Sequence, residues 1–308
     1  MPQGPAAPDR LANGDLPMNR LSLSVVVPAF DEEECIGACL DLLCTQLDCI
    51  TEIIVVDNNS ADGTRDIVRR HATDHPEIRV VTEKQQGLVF ARNAGMDAAS
   101  GDLVARIDAD TRVPDDWAAT ILDFFAADVD QHWAAACGRG EAYELPYGDA
   151  AARIKARWSP LARRSPSTPE VRDVPVLYGS NMILRRETWK LIREDVSLRR
   201  DVFEDVDMGL CVQESGGRNA FLPSLTVGVS PRRMESGMRS FVRYMACLPR
   251  TLRLHRRHAL AAAALVLYVP GVSALHACRL VMIRAYDSDS GSFSARHLLR
   301  PRTDRGMP

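Results

Sequence analysis

From Leu21 onward, apolar runs alternate with amphipathic stretches in a regular rhythm. Leu23 to Val27 is a short, β-branched apolar run stopped by Pro28, the pattern of a buried strand. Asp31 to Glu34 then supply acidic residues suited to the first turn of a helix, and Ile36, Leu40, Leu43 and Leu47 follow at helical spacing. Glu52 to Val56 predicts a second buried strand, followed by the turn Asp57 to Gly63 and a helix from Thr64 with Ile67 and Val68 on its apolar side. A third strand is expected at Ile78 to Thr82. A helix then runs from about Gly87 to Ala99 and stops at Ser100-Gly101. The fourth strand, Leu103 to Ile107, leads into Asp108-Ala109-Asp110. This alternation predicts an α/β, Rossmann-like fold with a mostly parallel central sheet and helices on both faces. Such sheets bind ligands at the carboxyl ends of their strands. Pro28 to Glu32, Asp57 to Asp62 and Asp108 to Asp110 all fall there.

Past Pro114 the pattern is mixed. Trp117 to Phe125 predicts an amphipathic helix, and residues 153–175, basic and Pro-rich, predict a mobile loop. Gly179-Ser180-Asn181 precedes an apolar stretch ending near Arg186. Glu204 and Asp205 open a helix. Residues 1–20, rich in Pro, Gly, Asn and Asp, predict a disordered tail. Ala259 to Leu275 carries no charge, follows the basic segment Arg250 to His258, and contains Pro270-Gly271, expected to break it. Three readings of that stretch stand side by side: a core or docking helix pair, a membrane-surface or re-entrant segment, and a true span. Residues 246–308 are therefore expected to form a helical, partly apolar C-terminal extension.

A chain of 308 residues has room for one large domain or two small ones. The net charge of -3 gives no reason to expect nucleic acid as a partner. Basic residues nevertheless gather from Arg153 to Arg164 and from Arg232 to Arg257, which suits an anionic acceptor, an anionic membrane surface or a plain solvated face. The eight cysteines form no C-x-x-C pair and have no His cluster beside them, so reduced, mostly buried thiols are expected rather than a zinc site. Residues 1–20 hold no apolar core of a secretory signal. The expected location is the cytoplasm, including the cytoplasmic face of the membrane.

Three acidic groups could carry chemistry. Asp108 and Asp110, two apart on an extended segment, would point to one side and invite a hard divalent cation, which takes oxygen ligands from carboxylates and substrate phosphates. A solvated acidic turn is the plainer alternative. Asp57 ends a buried strand, where its carboxylate could accept from a base N–H or a ribose hydroxyl, or form an Asx-turn. Asp62 and Thr64 fit a helix start. Glu204-Asp205 sits where a helix dipole keeps a carboxylate ionised, as a general base requires and as ordinary N-terminal helix charge also explains.

The order of these segments resembles the family 2 glycosyltransferases of GT-A fold. Val25-Val26-Val27-Pro28-Ala29-Phe30-Asp31-Glu32 resembles their V-x-x-P-x-[YF]-[ND]-E opening. Val55 to Thr64 resembles V-D-[DN]-x-S-x-D-G-T, and Gly87 to Asp102 resembles G-L-x-x-A-R-N-x-G with a following A-x-G-[DE]. Asp108-Ala109-Asp110, Gly179-Ser180-Asn181-Met182 and Glu204-Asp205 stand where that family has its D-x-D, G-x-N and E-D motifs. The likeness spans about residues 21–235, within an expected GT-A domain over 21–245.

The resemblance implies an inverting transferase that uses a nucleoside-diphosphate-sugar donor, a hydroxyl acceptor (a glycan, lipid or small molecule) and Mg²⁺ or Mn²⁺. Pro28, Asp31, Glu32 and Asp57 would line the nucleotide site, with Asp57 on the base and Arg92 near the donor pocket. Asp108 would face the ribose or sugar and help with the metal, which Asp110 would bind. Gly179, Ser180, Asn181 and Glu204 would shape the sugar and acceptor pocket, and Asp205 would be the catalytic base. Asp31 replaces the more usual Asn. The His that often follows the E-D helix is missing from Val227 to Arg233, the next one being His255. No Q-x-x-R-W is evident, which favours single transfer over polymerisation. A polyprenyl-phosphate glycosyltransferase with a lipid phosphate acceptor is one alternative; a catalytically silent nucleotide-sugar-binding scaffold is another. The absence of G-x-G-x-x-G after the first strand and of G-K-[ST] disfavours a dehydrogenase and a Walker-type NTPase.

Overall fold

The four apolar runs become four adjacent parallel strands: β1 (Leu23–Ala29), β2 (Glu52–Asp57), β3 (Ile78–Thr82) and β4 (Leu103–Arg106). Helices α1 (Ile36–Cys44), α2 (Thr64–Asp74) and α3 (Leu88–Ala98) are the crossovers between them. The computed structural model describes residues 21–143, 171–230, 237–287 and 292–293. The expected tail at 1–20 and most of the expected basic loop, 153–170, lie outside the described residues. The described end of that loop is a short strand rather than a loop, because its backbone finds a free edge of the sheet to pair with.

Every residue of β1 is buried, as a strand covered on both faces must be. Its side chains divide between two cores by the two-residue alternation of a strand. Leu23, Val25 and Val27 pack with Ile36, Leu40 and Leu43 of α1, Val68 of α2, and Trp117, Ile121 and Phe125 of α4 (Trp117–Ala127). Val26 joins the opposite core with Ala91 and Met96 of α3. A Cβ on Gly95 would lie 2.2 Å from Val26 and 2.9 Å from Val56, so α3 lies flush on the sheet only because that residue has no side chain.

The sheet continues through β5 (Ala135–Ala142), β6 (Arg172–Val174), β7 (Met182–Arg185) and β8 (Asn219–Val229), in the order β3-β2-β1-β4-β7-β5-β8-β6. The pairings run all strands in one direction except β7 and β6, which run against their neighbours. The sheet is thus mostly parallel, as the alternation predicts. Helices α5 (Arg186–Ile192) and α6 (Glu204–Glu214) cover the α3 face through Trp189, Ile192, Met208 and Val212.

Pro28 does not stop β1, which runs on to Ala29. The Val26 carbonyl accepts from Ile107 on the β4 side, and the Ala29 carbonyl accepts from Asn58 on the β2 side. By alternation Pro28 turns toward β4, beyond the last β1–β4 pair at Val26 and Arg106. Its missing N–H therefore leaves no ladder bond unmade. Asp31 to Glu34 also differ from expectation. They precede α1, which starts at Ile36, and are held by the neighbouring loop instead.

The C-terminal helices are α7 (Met238–Met245), α8 (Cys247–Leu254), α9 (His258–Ala263), a π-helical turn (Ala264–Tyr268) and α10 (Val269–Ala285). Pro270-Gly271 does not break the apolar stretch. The wide turn just before Pro270 makes room for the ring, and the helix continues. From His258 to Met282 it is one helical run of 25 residues, of which only 17% of the most apolar window is buried. The run is therefore one helix rather than a pair, and most of it lies outside the core, though it docks on α7 through His276.

Glu52 pins three segments together at the amino end of the sheet. It accepts from the Ser24 hydroxyl at 2.7 Å, from the Ser100 amide and hydroxyl at 2.7 Å each, and from Arg79 at 2.8 Å. Burial alone would raise its pKa, but these hydrogen bonds outweigh it and hold the carboxyl at about 2. A carboxylate depressed on folding adds stability above its unfolded pKa and loses it as pH falls toward the folded value. Wild type should therefore lose melting temperature steadily from about pH 4.5 down toward pH 2 through this group. Glu52→Gln should melt lower than wild type at pH 7 and show a shallower decline on acidification. Parallel curves for the two proteins would show that Glu52 plays no such part.

Candidate active site

The carboxyl ends of β1, β2 and β4 open onto one mouth. At β2, Asp57 is buried, and its Oδ2 accepts from Arg65 Nε at 2.6 Å while Oδ1 accepts from the Ser60 amide at 3.2 Å. The sequence had not suggested Arg65 as a partner. Asn58 donates to the carbonyls of Glu83 and Gln85 and accepts from the Gly87 amide, so it braces the loop after β3. Asp31, in the left-handed region at φ 51°, accepts from the Ala61 amide at 2.7 Å. The Glu32 amide donates to the Thr64 hydroxyl at 2.8 Å, and its carboxylate accepts from the Cys35 thiol at 3.0 Å. Asp62 accepts from the Thr64 amide and hydroxyl, the helix-start role expected of that pair. The loops after β1 and β2 are thus one hydrogen-bonded unit.

Asp108 and Asp110 are not on an extended segment. The chain turns after β4: the Thr111 amide donates to the Asp108 carbonyl at 3.0 Å, and the Thr111 hydroxyl accepts from the Asp108 amide at 3.2 Å. Asp108 Oδ1 meets Arg92 Nη2 at 2.7 Å, and Oδ2 accepts from the Ser180 hydroxyl at 2.6 Å. Asp110 lines a separate cleft of about 50 Å³ with Glu34, Cys35, Cys39, Arg112 and Tyr143. The one-sided pair expected from strand alternation is replaced by two carboxylates with different surroundings.

Arg92 ties the mouth together. Its side chain, 2% exposed, reaches from α3 to Asp108 and also to Glu204 at the start of α6. Arg106, fully buried at the end of β4, stands 3.9 Å from Glu204 and donates to the Gly179 carbonyl at 3.3 Å. Sequence reasoning passed over Arg106, although an arginine inside an apolar strand was a visible signal. Asp205 Oδ2 accepts from the Gly179 amide at 3.1 Å and Oδ1 from the Val206 amide at 2.9 Å. A Cβ on Gly179 would come within 2.9 Å of Arg106 and 3.2 Å of Asp205, so glycine is needed for this approach. Asp205 is oriented by backbone donors at a helix N-terminus.

Asn181 behaves otherwise than expected. It is fully buried, its amide donates to the Leu225 carbonyl at 2.9 Å, and its Oδ1 accepts from the Trp117 indole at 3.0 Å. It supports the pocket from behind; Gly179 and Ser180 are the members of that motif that touch the acidic groups. His255 does not approach Asp110. Its ring bridges Asp207 at 3.0 Å and Glu214 at 2.9 Å, fastening α8 to α6. Burial raises the pKa of Asp207 despite its hydrogen bonds from Ser197 and His255.

For a divalent cation, the cleft lined by Asp110 offers carboxylate oxygens. Around Asp110 the anionic field is felt by its neighbours: burial and then Asp110 push the Cys39 thiol far up, and the same two causes raise Tyr143. The carboxylates of Asp110 and Glu34 in a small polar cleft suit Mg²⁺ or Mn²⁺ sharing its remaining positions with water and phosphate oxygens.

The family model described as "Glycosyl transferase family 2" matches residues 24–192, more than half of the chain, and the chain belongs to that family. The glycosyltransferase AglE of Haloferax volcanii is 36% identical over 98 residues, which is 31% of this chain and 32% of the relative. An undecaprenyl-phosphate 4-deoxy-4-formamido-L-arabinose transferase of Pseudomonas syringae pv. syringae is 34% identical over 97 residues, 30% of this chain and 29% of that protein. The chain thus matches about a third of the length of these curated relatives. In three dimensions it is similar to the mannosyltransferase PcManGT of Pyrobaculum calidifontis, solved with GDP-Man and Mn²⁺. That match has a TM-score of 0.57 at 23% identity and covers 92% of this chain and 79% of that one. The likeness establishes the GT-A fold.

Removing the Arg92 guanidinium would take the bridging cation from Asp108 and Glu204, leaving Glu204 only the Arg106 guanidinium at 3.9 Å. Arg92→Met should lower unfolding free energy by about 3 kcal/mol, read by chemical denaturation. A loss below about 1 kcal/mol would mean the network is not holding the mouth together.

Proposed function

We propose that the chain moves a glycosyl unit from a nucleoside-diphosphate-sugar to an acceptor hydroxyl in one inverting, metal-assisted displacement. The observation that carries this is the convergence of Asp108 and Glu204 on Arg92 at the sheet mouth, with Asp205, next to Glu204, anchored by the Gly179 amide. Family membership and the GDP-Man and Mn²⁺ of the PcManGT neighbour support the donor class and the cation.

Each residue then has a task. The joined loops of Pro28, Asp31, Glu32 and Asp57 receive the nucleoside, with Asp57 held in place by Arg65 and Ser60. Asp108, fixed by Arg92 and Ser180, accepts hydrogen bonds from ribose or sugar hydroxyls. Asp110 holds the cation, which when bound offsets the charge developing on the departing diphosphate. Asp205 takes the proton of the acceptor hydroxyl as that oxygen forms its bond to the anomeric carbon and the carbon–phosphate-oxygen bond breaks. Attack from the face opposite the leaving group inverts the anomeric centre, and no covalent enzyme intermediate is needed. Arg92 and Arg106 keep Glu204 in place so that the start of α6 presents Asp205 to the mouth.

A second reading is favoured by the undecaprenyl-phosphate named for the Pseudomonas relative. With a lipid phosphate as acceptor, the nucleophile is already an anion and Asp205 has no proton to remove. Asp205→Asn separates the two. With a hydroxyl acceptor it should lower kcat by about a hundredfold or more and leave nucleotide affinity unchanged. Near-normal turnover on a polyprenyl phosphate would favour the second reading. Retention of the donor's anomeric configuration in the product, read by NMR, would contradict single displacement.

A further inference from the structure

Among the described residues, the largest run of exposed apolar side chains lies on the C-terminal helices. Leu260, Leu265, Val266, Leu267, Tyr268 and Leu275 are each about half or more exposed, Leu267 at 71%. They project from the helical run His258 to Met282, whose mean hydropathy is 1.7. Six or more large apolar side chains on one helix form a patch beyond what a soluble surface ordinarily shows.

A narrow stripe of that run is docked on the protein. Ala261, Ala264, Val269 and His276 are buried, and the His276 ring stacks on Phe241 of α7 at 3.9 Å. The residues leading into it are strongly basic. Residues 238–258 hold six arginines and no acidic residue. Arg239, Arg243, Arg250, Arg253 and Arg256 are exposed. Arg250 and Arg253 of α8 also line, with Arg199, Asp201 and Leu254, an open groove of about 350 Å³.

The geometry points to an anionic lipid bilayer as the occupant of this face. Exposed apolar side chains on a helix tethered to the protein along a narrow stripe, with arginines at its approach, suit attachment at a membrane interface. The 25-residue run is long enough to cross a bilayer, about 37 Å at 1.5 Å per residue. Crossing would carry α7, with its exposed Arg239 and Arg243, into hydrocarbon, because His276 and Phe241 bind the two helices together. We propose that the protein attaches to one leaflet, with its apolar helix in the interface and its arginine groove on lipid phosphates.

The attachment sits next to the catalytic helix. The Thr251 hydroxyl of α8 accepts from the amide of Phe203, the residue before Glu204, at 2.8 Å, and Phe203 packs edge-on against Tyr244 of α7 at 4.6 Å. A leaflet held by α7 to α10 would therefore bring membrane-borne acceptors near Asp205. The attachment itself does not depend on the transferase assignment.

Co-sedimentation of the full chain with vesicles tests it, using phosphatidylcholine alone and phosphatidylcholine mixed with phosphatidylglycerol. Wild type should bind the anionic vesicles, lose binding as salt rises, and be released by carbonate washing. Leu267→Asp should weaken binding by roughly tenfold or more. Arg250→Glu with Arg253→Glu should remove most of the preference for anionic over neutral vesicles, by roughly tenfold. Unchanged melting and nucleotide binding of the variants would confirm intact folds, since these side chains are exposed. Equal sedimentation with and without vesicles would overturn the proposal. So would resistance to carbonate, which indicates a span, or a dimer without lipid that Leu267→Asp dissociates, which indicates a second copy on the face.

Discussion

A single buried guanidinium organises the mouth of this sheet. Arg92 reaches from α3 between Asp108, just past β4, and Glu204, the first residue of α6. The two acidic groups come from segments nearly a hundred residues apart in the chain. Charges taken out of water are costly unless their partners are well placed, so this geometry depends on all three groups together. Its consequences spread outward. Glu204 sets the start of α6, the start of α6 sets Asp205, and Asp205 takes its second anchor from the Gly179 amide. Arg106 closes the circle by donating to the Gly179 carbonyl.

The parallel half of the fold was legible from periodicity alone. Branched apolar runs at Leu23, Glu52 and Leu103 are strands because nothing but a covered sheet buries both of their faces, while the run at Ile78 forms the largely exposed edge strand. Strands β5 to β8 were not legible in the same way. β5 carries Gly138 and Gly140 and has a register shift between Cys137 and Arg139, while β6 is three residues long and exposed at the edge. Such segments are strands by virtue of their neighbours, a tertiary effect that local pattern does not carry.

The acidic site residues were legible because carboxylates at strand ends and helix starts are conspicuous. Their partners were less so. Arg65 sits on the exposed side of a helix until the fold turns it to Asp57. The alternation rule misplaced Asp108 and Asp110 because it assumes an extended backbone, and a Thr111 side chain bends it into a turn. Asn181 looked like a pocket residue by motif, but the Trp117 indole and the Leu225 carbonyl draw it into the core. The C-terminal helix was ambiguous for a different reason. Composition reports how apolar a segment is, and only the packed structure reports which side of it the protein leaves uncovered.

The account stands on the donor site at the mouth of the sheet, and nucleotide binding tests that most directly. Calorimetric titration of UDP, GDP, dTDP and CDP, with and without Mn²⁺, should be run on wild type and Asp110→Ala. The account predicts selective binding of one nucleotide, tightened by Mn²⁺ in wild type, with the Mn²⁺ effect lost in the variant. Folded wild-type protein that binds none of the four, with or without Mn²⁺, would contradict it.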